Sequence, residues 1–291
     1  MNELISPGTE LLDGPSASIT SAPPYLTRPI KIPKGPFRCR IHLPIGAGYE
    51  VQASTDLGQW TVVTRNTSAD ESVEFLDAQA SGLPARFYRV VVGGACSRNI
   101  VGYAGTVAPQ GFAMITNPFT NDDNTIAWLL PRVPENTTLC KFDPCLSRLT
   151  NNSFKGGKWS FGGERLDPGE GALFFNPTFD PIHIDFAGEV QQGVLINQLD
   201  AGFSMRGSML PRSGRICADL GLPIQEGDVI HVFDRKEQRY QVLKFPMKNW
   251  HSAQPALGLC EGFWLGKATG SKWVQKVEPP VAISTGVRRP A

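Results

Sequence analysis

Hydrophobic and polar positions alternate in short runs along most of this chain, a two-residue period that predicts β-strands. Strand-like runs occupy 37–43, 49–54, 60–63, 73–76 and 86–92, with turn residues between them at Gly46-Ala47-Gly48, Asp56-Leu57-Gly58 and Ser81-Gly82-Leu83-Pro84. Five strands at this spacing predict a small β-sandwich over 37–95, with Gly93-Gly94 reading as its end. Further short runs follow to residue 277, among them 202–205, 228–233, 240–245, 262–265 and 272–277. Helix-period segments are scarce. The best, 124–130, stops at Pro131, and a weaker one covers 214–221.

The pattern after residue 96 is written twice. At a constant offset of 91, Gly202-Phe203 falls on Gly111-Phe112, Met205 on Met114, Phe233-Asp234 on Phe142-Asp143, Trp250 on Trp159 and Glu261-Gly262 on Glu170-Gly171. A tandem duplication explains this, with copy one at 96–190, copy two at 191–280 and a tail at 281–291. Shared positions report what the fold needs, so chemistry is to be sought where the copies differ.

Residues 1–36 carry seven prolines and cannot form a helix; they read as an extended arm. Its apolar residues Leu4, Ile5, Leu11, Leu12, Tyr25, Leu26, Ile30 and Ile32 are candidates to fill pockets on a sheet edge of another copy. The competing reading is an arm that folds back on its own sandwich or stays disordered.

Bulk properties narrow the function classes. A formal charge of +1 over 291 residues gives no electrostatic case for nucleic acid. No stretch approaches the ~18 apolar residues of a membrane span. The start, Met1 to Pro7, lacks the basic end and apolar run of a secretory signal. No phosphate-cradling or dinucleotide motif occurs, no Gly-x-Ser-x-Gly, and no cysteine pair at zinc-ribbon spacing, so no catalytic residue, cofactor or metal is expected. Cys260, a nucleophile candidate by residue type, aligns with Gly169 and reads better as a turn residue. Asn121-Asp122-Asp123-Asn124 reads as a helix cap rather than a cation site. Glu170 and Glu261 recur in one Glu-Gly motif and read as turn residues bonding to backbone, not as a catalytic pair.

Two segments resemble modules of large secreted and surface proteins of environmental bacteria. The first rests on Ala53-Ser54-Thr55-Asp56-Leu57, Trp60-Thr61, Phe75 with Asp77, and Arg86-Phe87-Tyr88-Arg89. The second rests on Val101-Gly102-Tyr103, Asn117-Pro118, Phe142-Asp143, Trp159, Pro168-Gly169-Glu170-Gly171, Phe174-Phe175-Asn176-Pro177 and Phe186-Ala187-Gly188-Glu189-Val190, and copy two departs from it after Trp264. The resemblance implies an immunoglobulin-like or fibronectin-like sandwich followed by tandem β-rich modules, an extracellular or surface location, and no activity.

Six cysteines then admit two readings. Pairs could form domain by domain (Cys39 with Cys96, Cys140 with Cys145, Cys217 with Cys260), or all six could be reduced thiols. Trp60, Trp159, Trp250 and Trp264 are expected in the core. Trp128 and Trp273 have no Trp counterpart at the 91 offset and are the candidates for sugar stacking.

The expectation is an all-β chain acting as a non-catalytic structural or interaction subunit of a bacterial surface assembly, its partners other copies of itself or another surface protein. The alternatives are a carbohydrate-binding module that takes polysaccharide, and a hydrolase with an unrecognised site. An exposed aromatic row on a sheet face would favour the carbohydrate reading.

Overall fold

The computed structural model describes residues 22–246, 250 and 254–279. Strands dominate them, as the alternation predicts. The first seven are β1 (Tyr25–Lys31), β2 (Phe37–His42), β3 (Gly48–Ser54), β4 (Thr61–Thr67), β5 (Ser72–Asp77), β6 (Ala85–Val92) and β7 (Ala95–Cys96). Copy one supplies β8 (Val101–Ala108), β9 (Gly111–Ile115), the single helical turn α1 (Ile126–Leu129), β10 (Thr138–Asp143), β11 (Arg148–Lys155), β12 (Lys158–Trp159), β13 (Ala172–Asn176) and β14 (Ile182–Glu189). Copy two supplies β15 (Gly193–Leu199), β16 (Gly202–Arg206), β17 (Gly214–Arg215), β18 (Val229–Asp234), β19 (Arg239–Lys244), β20 (Ala256–Leu257), β21 (Phe263–Lys267) and β22 (Ser271–Val277).

An immunoglobulin- or fibronectin-like sandwich opens the chain. One sheet runs β1-β2-β5 and the other runs β14-β8-β6-β3-β4, with β7 also on β6. Phe37, Ile41, Tyr49, Val51, Tyr88, Val90 and Tyr103 fill the space between. Asp77 is buried among these aromatic rings and accepts hydrogen bonds from Tyr88 Oη at 2.7 Å and from Arg86 at 2.9 Å, so its charge is paired.

Strands β6 and β8 of the second sheet have a core on each face. Tyr88, Val90, Val101 and Tyr103 point into the sandwich, whereas Ala85, Phe87, Ala104 and Ala108 point into the core of copy one, beside Phe119, Ile126, Leu139, Phe174 and Phe186. The boundary expected at 95/96 therefore falls inside a continuous sheet. Gly93 and Gly94, both at positive φ (56° and 85°), form the two-residue turn of the β6–β7 hairpin rather than a linker.

The arm also differs from the docking expectation. Tyr25 and Leu26 belong to β1, which pairs antiparallel with β2 of the same sandwich. Tyr25 stacks on His42 at 4.4 Å, Leu26 is buried, and Asn99 bonds the backbone of Leu26 in both directions. Lys31 reaches Asp185 on β14 at 3.8 Å. Pro29 is tolerated because it falls where the β1–β2 register shifts, on an edge strand, so its missing N–H leaves no ladder position empty. Ile30 and Ile32 are exposed on that edge. Leu4, Ile5, Leu11 and Leu12 lie outside the described residues.

The two copies share one topology. Copy one's sheet runs β12-β11-β10-β13-β9 and copy two's runs β19-β18-β21-β16, the same order under the 91-residue offset apart from β12, which has no counterpart among the described strands. Their antiparallel pairs β8–β14 and β15–β22, each joining the first and last strands of a copy, correspond as well. The helical turn at 124–130 is realised as α1, N-capped by Thr125, while Asp123 supports the cap by accepting from Thr125 N. At 214–221 the chain forms hydrogen-bonded turns closed by Asp219 N, Leu220 N and Gly221 N. No helix among the described residues is long and apolar enough to cross a membrane.

A candidate cleft where the repeats meet

Copies one and two join through a seam that is nearly its own mirror under a two-fold rotation. Gly171 N donates to Met205 O at 3.1 Å, and its counterpart Gly262 N donates to Met114 O at 3.3 Å. Gly207 N donates to Gly169 O at 3.2 Å, and its counterpart pair is Thr116 N to Cys260 O at 3.0 Å. The bridges Glu170↔Arg206 and Ile115↔Glu261 are likewise counterparts. Reciprocal contact of this kind is the signature of an isologous interface, here formed within one chain.

This seam explains the repeated Glu-Gly. A Cβ at Gly171 would lie 2.8 Å from Arg206 O, and one at Gly262 would lie 2.8 Å from Ile115 O. The glutamates brace the turn as expected: Glu170 accepts from Asp167 N at 3.1 Å and Glu261 from Gly258 N at 2.7 Å. Met114, Cys140, Leu173, Met205 and Phe233 are buried between the copies, with Phe142 and Trp264 against them.

The symmetry fails at one place. On one side, the β18–β19 hairpin of copy two reaches into copy one. Arg235 donates to Thr106 Oγ1 at 2.6 Å, Val107 O at 2.8 Å and Met114 O at 3.0 Å, and its Nε lies 3.6 Å from Glu261 Oε1, an ion-pair distance beyond hydrogen bonding. Gln238 clamps Phe112, its Oε1 accepting from Phe112 N at 2.7 Å and its Nε2 donating to Phe112 O at 3.0 Å. On the other side, the β10–β11 hairpin carries Pro144 and Ser147 where these residues would stand. The hairpin backbones match: φ is 49° at Ser147 and 50° at Gln238, and Asp143 and Asp234 each accept two backbone N–H groups of their turn. Only the side chains are missing.

Their absence leaves a cleft of about 610 Å³, lined by Phe142, Pro144 and Ser147 of copy one and by Ala201, Gly202, Phe203, His231, Tyr240 and Trp264 of copy two. That volume falls within the roughly 300–1,000 Å³ usual for small-molecule sites. The glycines make the contrast plain. At Gly111 a Cβ would meet Gln238 Oε1 at 2.4 Å, whereas at its counterpart Gly202, with nearly the same φ, nothing lies within 4 Å.

The floor of the cleft also differs from its counterpart. His231, Tyr240 and Trp264 replace Cys140, Leu149 and Leu173. Trp264 stands opposite His231 across β21 and β18, and Met205 opposite Trp264, so these side chains share one sheet face. Phe142 meets Trp264 edge-on at 5.0 Å, and His231 lies between Phe203 at 5.7 Å and Tyr240 at 6.1 Å. Trp264 Nε1 donates to Tyr240 Oη at 3.2 Å. Burial lowers the His231 pKa, favouring the neutral imidazole. None of the lining residues is an Asp, Glu, Lys or Arg.

The residues singled out from sequence lie elsewhere. Trp273 is fully buried and donates to Leu220 O at 2.8 Å, so it is core and not a stacking platform. Trp128 is 60% exposed on α1, beside an apolar groove lined by Ile30, Pro33 and Ile182. Trp264, expected in the core, is a cleft wall.

Of the cysteines, Cys39, Cys140, Cys145, Cys217 and Cys260 are free thiols, so of the two readings the paired one is not realised. Cys96 is buried in the β6–β7 hairpin. Cys217 packs on copy two's core and Cys260 in copy one's, and separate cores keep that pair apart. Burial pushes the thiols of Cys39 and Cys260 well up, and that of Cys217 to about 11, so all three stay protonated at neutral pH. Cys260 sits at φ 54° in the turn with its Sγ 3.4 Å from Ala104 O. Among the described residues no cluster of His, Cys, Asp or Glu could hold a metal ion.

No protein-family model matches this chain, and no curated protein matches it. Among solved structures, the crystal structure of chicken CNTN1 FN1–FN3 domains aligns over 88% of this chain and 99% of that one, at 11% identity and a TM-score of 0.22. A likeness that slight carries no argument; the sandwich assignment rests on the strand order.

Proposed function

We propose that this protein is a non-catalytic binding subunit of a bacterial extracellular or surface assembly, and that it holds its ligand in the aromatic cleft between the two repeats. One observation carries the reading: the cleft exists only where the copies differ, in both the hairpin above it and the sheet face below it. A fold that needed the space filled has a ready solution in Arg235 and Gln238, and uses it once. Exposed Phe203 and Tyr240 beside His231 and Trp264 give the kind of aromatic face that binding sites use. The neutral lining and the protonated, buried thiols support binding over hydrolysis. Tyr25 and Leu26 are engaged by their own sandwich, so this reading does not rest on them.

Saturation-transfer NMR with neutral ring-bearing fragments tests the reading. Ser147→Gln places in the open half the residue that fills the closed half, and should abolish fragment contacts with the cleft. Fragments that bind the wild type and Ser147→Gln alike, or none at all, would rule the cleft out.

A further inference from the structure

We infer that the ligand of this cleft is a neutral glycan, a pyranose ring stacked against Phe203 and Tyr240 with its hydroxyls on Ser147, His231 and Tyr240. The inference rests on the proposed function above and adds the class of ligand.

Three properties of the lining select it. First, without a basic side chain in the wall, a phosphate or carboxylate group would be desolvated with nothing to pair it. Anionic ligands are disfavoured. Second, the walls are flat rings, and Phe203 is 50% exposed, so it offers its face to solvent in the absence of a ligand. The C–H faces of a pyranose are flat and apolar enough to lie on such a ring, as bases do on aromatic platforms. Third, the polar atoms left over both give and take hydrogen bonds. Ser147 Oγ has no hydrogen-bond partner among the described residues, and neither ring nitrogen of His231 has one. Tyr240 Oη accepts from Trp264 but keeps its own proton to donate. A neutral imidazole carries one donor and one acceptor. Sugar hydroxyls are likewise donors and acceptors at once.

A proline-rich peptide is the nearest rival for an aromatic groove. It presents carbonyl acceptors at its prolines and no donors, so it calls for indole N–H groups free to donate. Trp264 Nε1 is already committed to Tyr240 Oη, which leaves that rival short of its main recognition group. The lining fits the glycan better.

The test is titration calorimetry on the full chain with neutral hexasaccharides of β-1,4-glucose, α-1,4-glucose, β-1,3-glucose, β-1,4-mannose, β-1,4-xylose and β-1,4-N-acetylglucosamine, alongside decaproline. At least one sugar should bind with a Kd on the order of 1 mM or tighter. Phe203→Ala should weaken it at least about tenfold, Tyr240→Phe should weaken it less, and Ser147→Gln should abolish it. Gln238→Ser, across the seam, should leave binding unchanged. Phe203 is half exposed and the tyrosine change removes one oxygen, so these variants are expected to keep the wild-type melting temperature. Silence from every sugar overturns the inference, as does binding that ignores Phe203→Ala and Ser147→Gln. Decaproline binding without sugar binding also overturns it while leaving the cleft itself standing; only failure of the fragment test removes both.

Discussion

The two sides of the repeat seam use one backbone for opposite ends. On the closed side, Arg235 and Gln238 satisfy five polar atoms of copy one and fill the space above Gly111. On the open side, Pro144 and Ser147 satisfy none of the counterparts and leave Gly202 facing empty space. Duplication thus produced a spare copy of an interface already secure on its other side. Function can occupy a position that stability no longer needs, and copy two has aromatic or imidazole rings there in place of the thiol and aliphatic side chains of copy one.

The strongest way to break the comparison is at the part of the seam that is symmetric. Gly171→Ala and Gly262→Ala each drive a Cβ onto a carbonyl of the other copy, and each should cost about 2–4 kcal/mol by urea denaturation. Because the positions are counterparts, the two losses should agree; a large inequality would argue against a shared seam. Arg235→Ala should cost about 2 kcal/mol through its lost hydrogen bonds, whereas Pro144→Ala on the open side should stay within about 0.5 kcal/mol of wild type. Gln238→Ser should cost about 1 kcal/mol, with Arg235 still holding that side of the seam. The converse change, Ser147→Gln, should stabilise by less than about 1 kcal/mol, because the new side chain loses rotamer freedom as it bonds.

The smallest effect concerns the helical turns. Trp128 in copy one has Asp219 as its counterpart in copy two, where hydrogen bonds from the Arg215 guanidinium and backbone N–H hold the carboxyl down to about 2 from its ordinary 3.8. The folded pKa lies below the unfolded one, so the stabilisation is present above about pH 4 and disappears as pH falls from 3.8 toward 2. Arg215→Gln should return the Asp219 carboxyl toward 3.8 in an NMR titration and flatten that limb of the acid melting curve. The pair is solvent-exposed, so the change in melting temperature should be slight.

Local pattern and internal repetition determined much of this protein from sequence alone. Alternation located β2 to β6 because strand side chains repeat every two residues, and the 91-residue offset identified the duplication whatever the repeats pack against. The Glu-Gly turn was legible because a glutamate three residues past a backbone N–H closes a local loop. Contacts between distant segments were decided only by the tertiary structure. Nothing local distinguishes Trp273, sealed in a core, from Trp264, on a cleft wall; both sit in apolar surroundings, and the difference lies in what packs over them. Pro29 hid β1, since proline argues against a strand until a register shift on an edge accommodates it. The cleft was beyond local reading altogether: the sequence shows that Pro144 and Ser147 differ from Arg235 and Gln238, but only a two-fold seam turns that difference into a space.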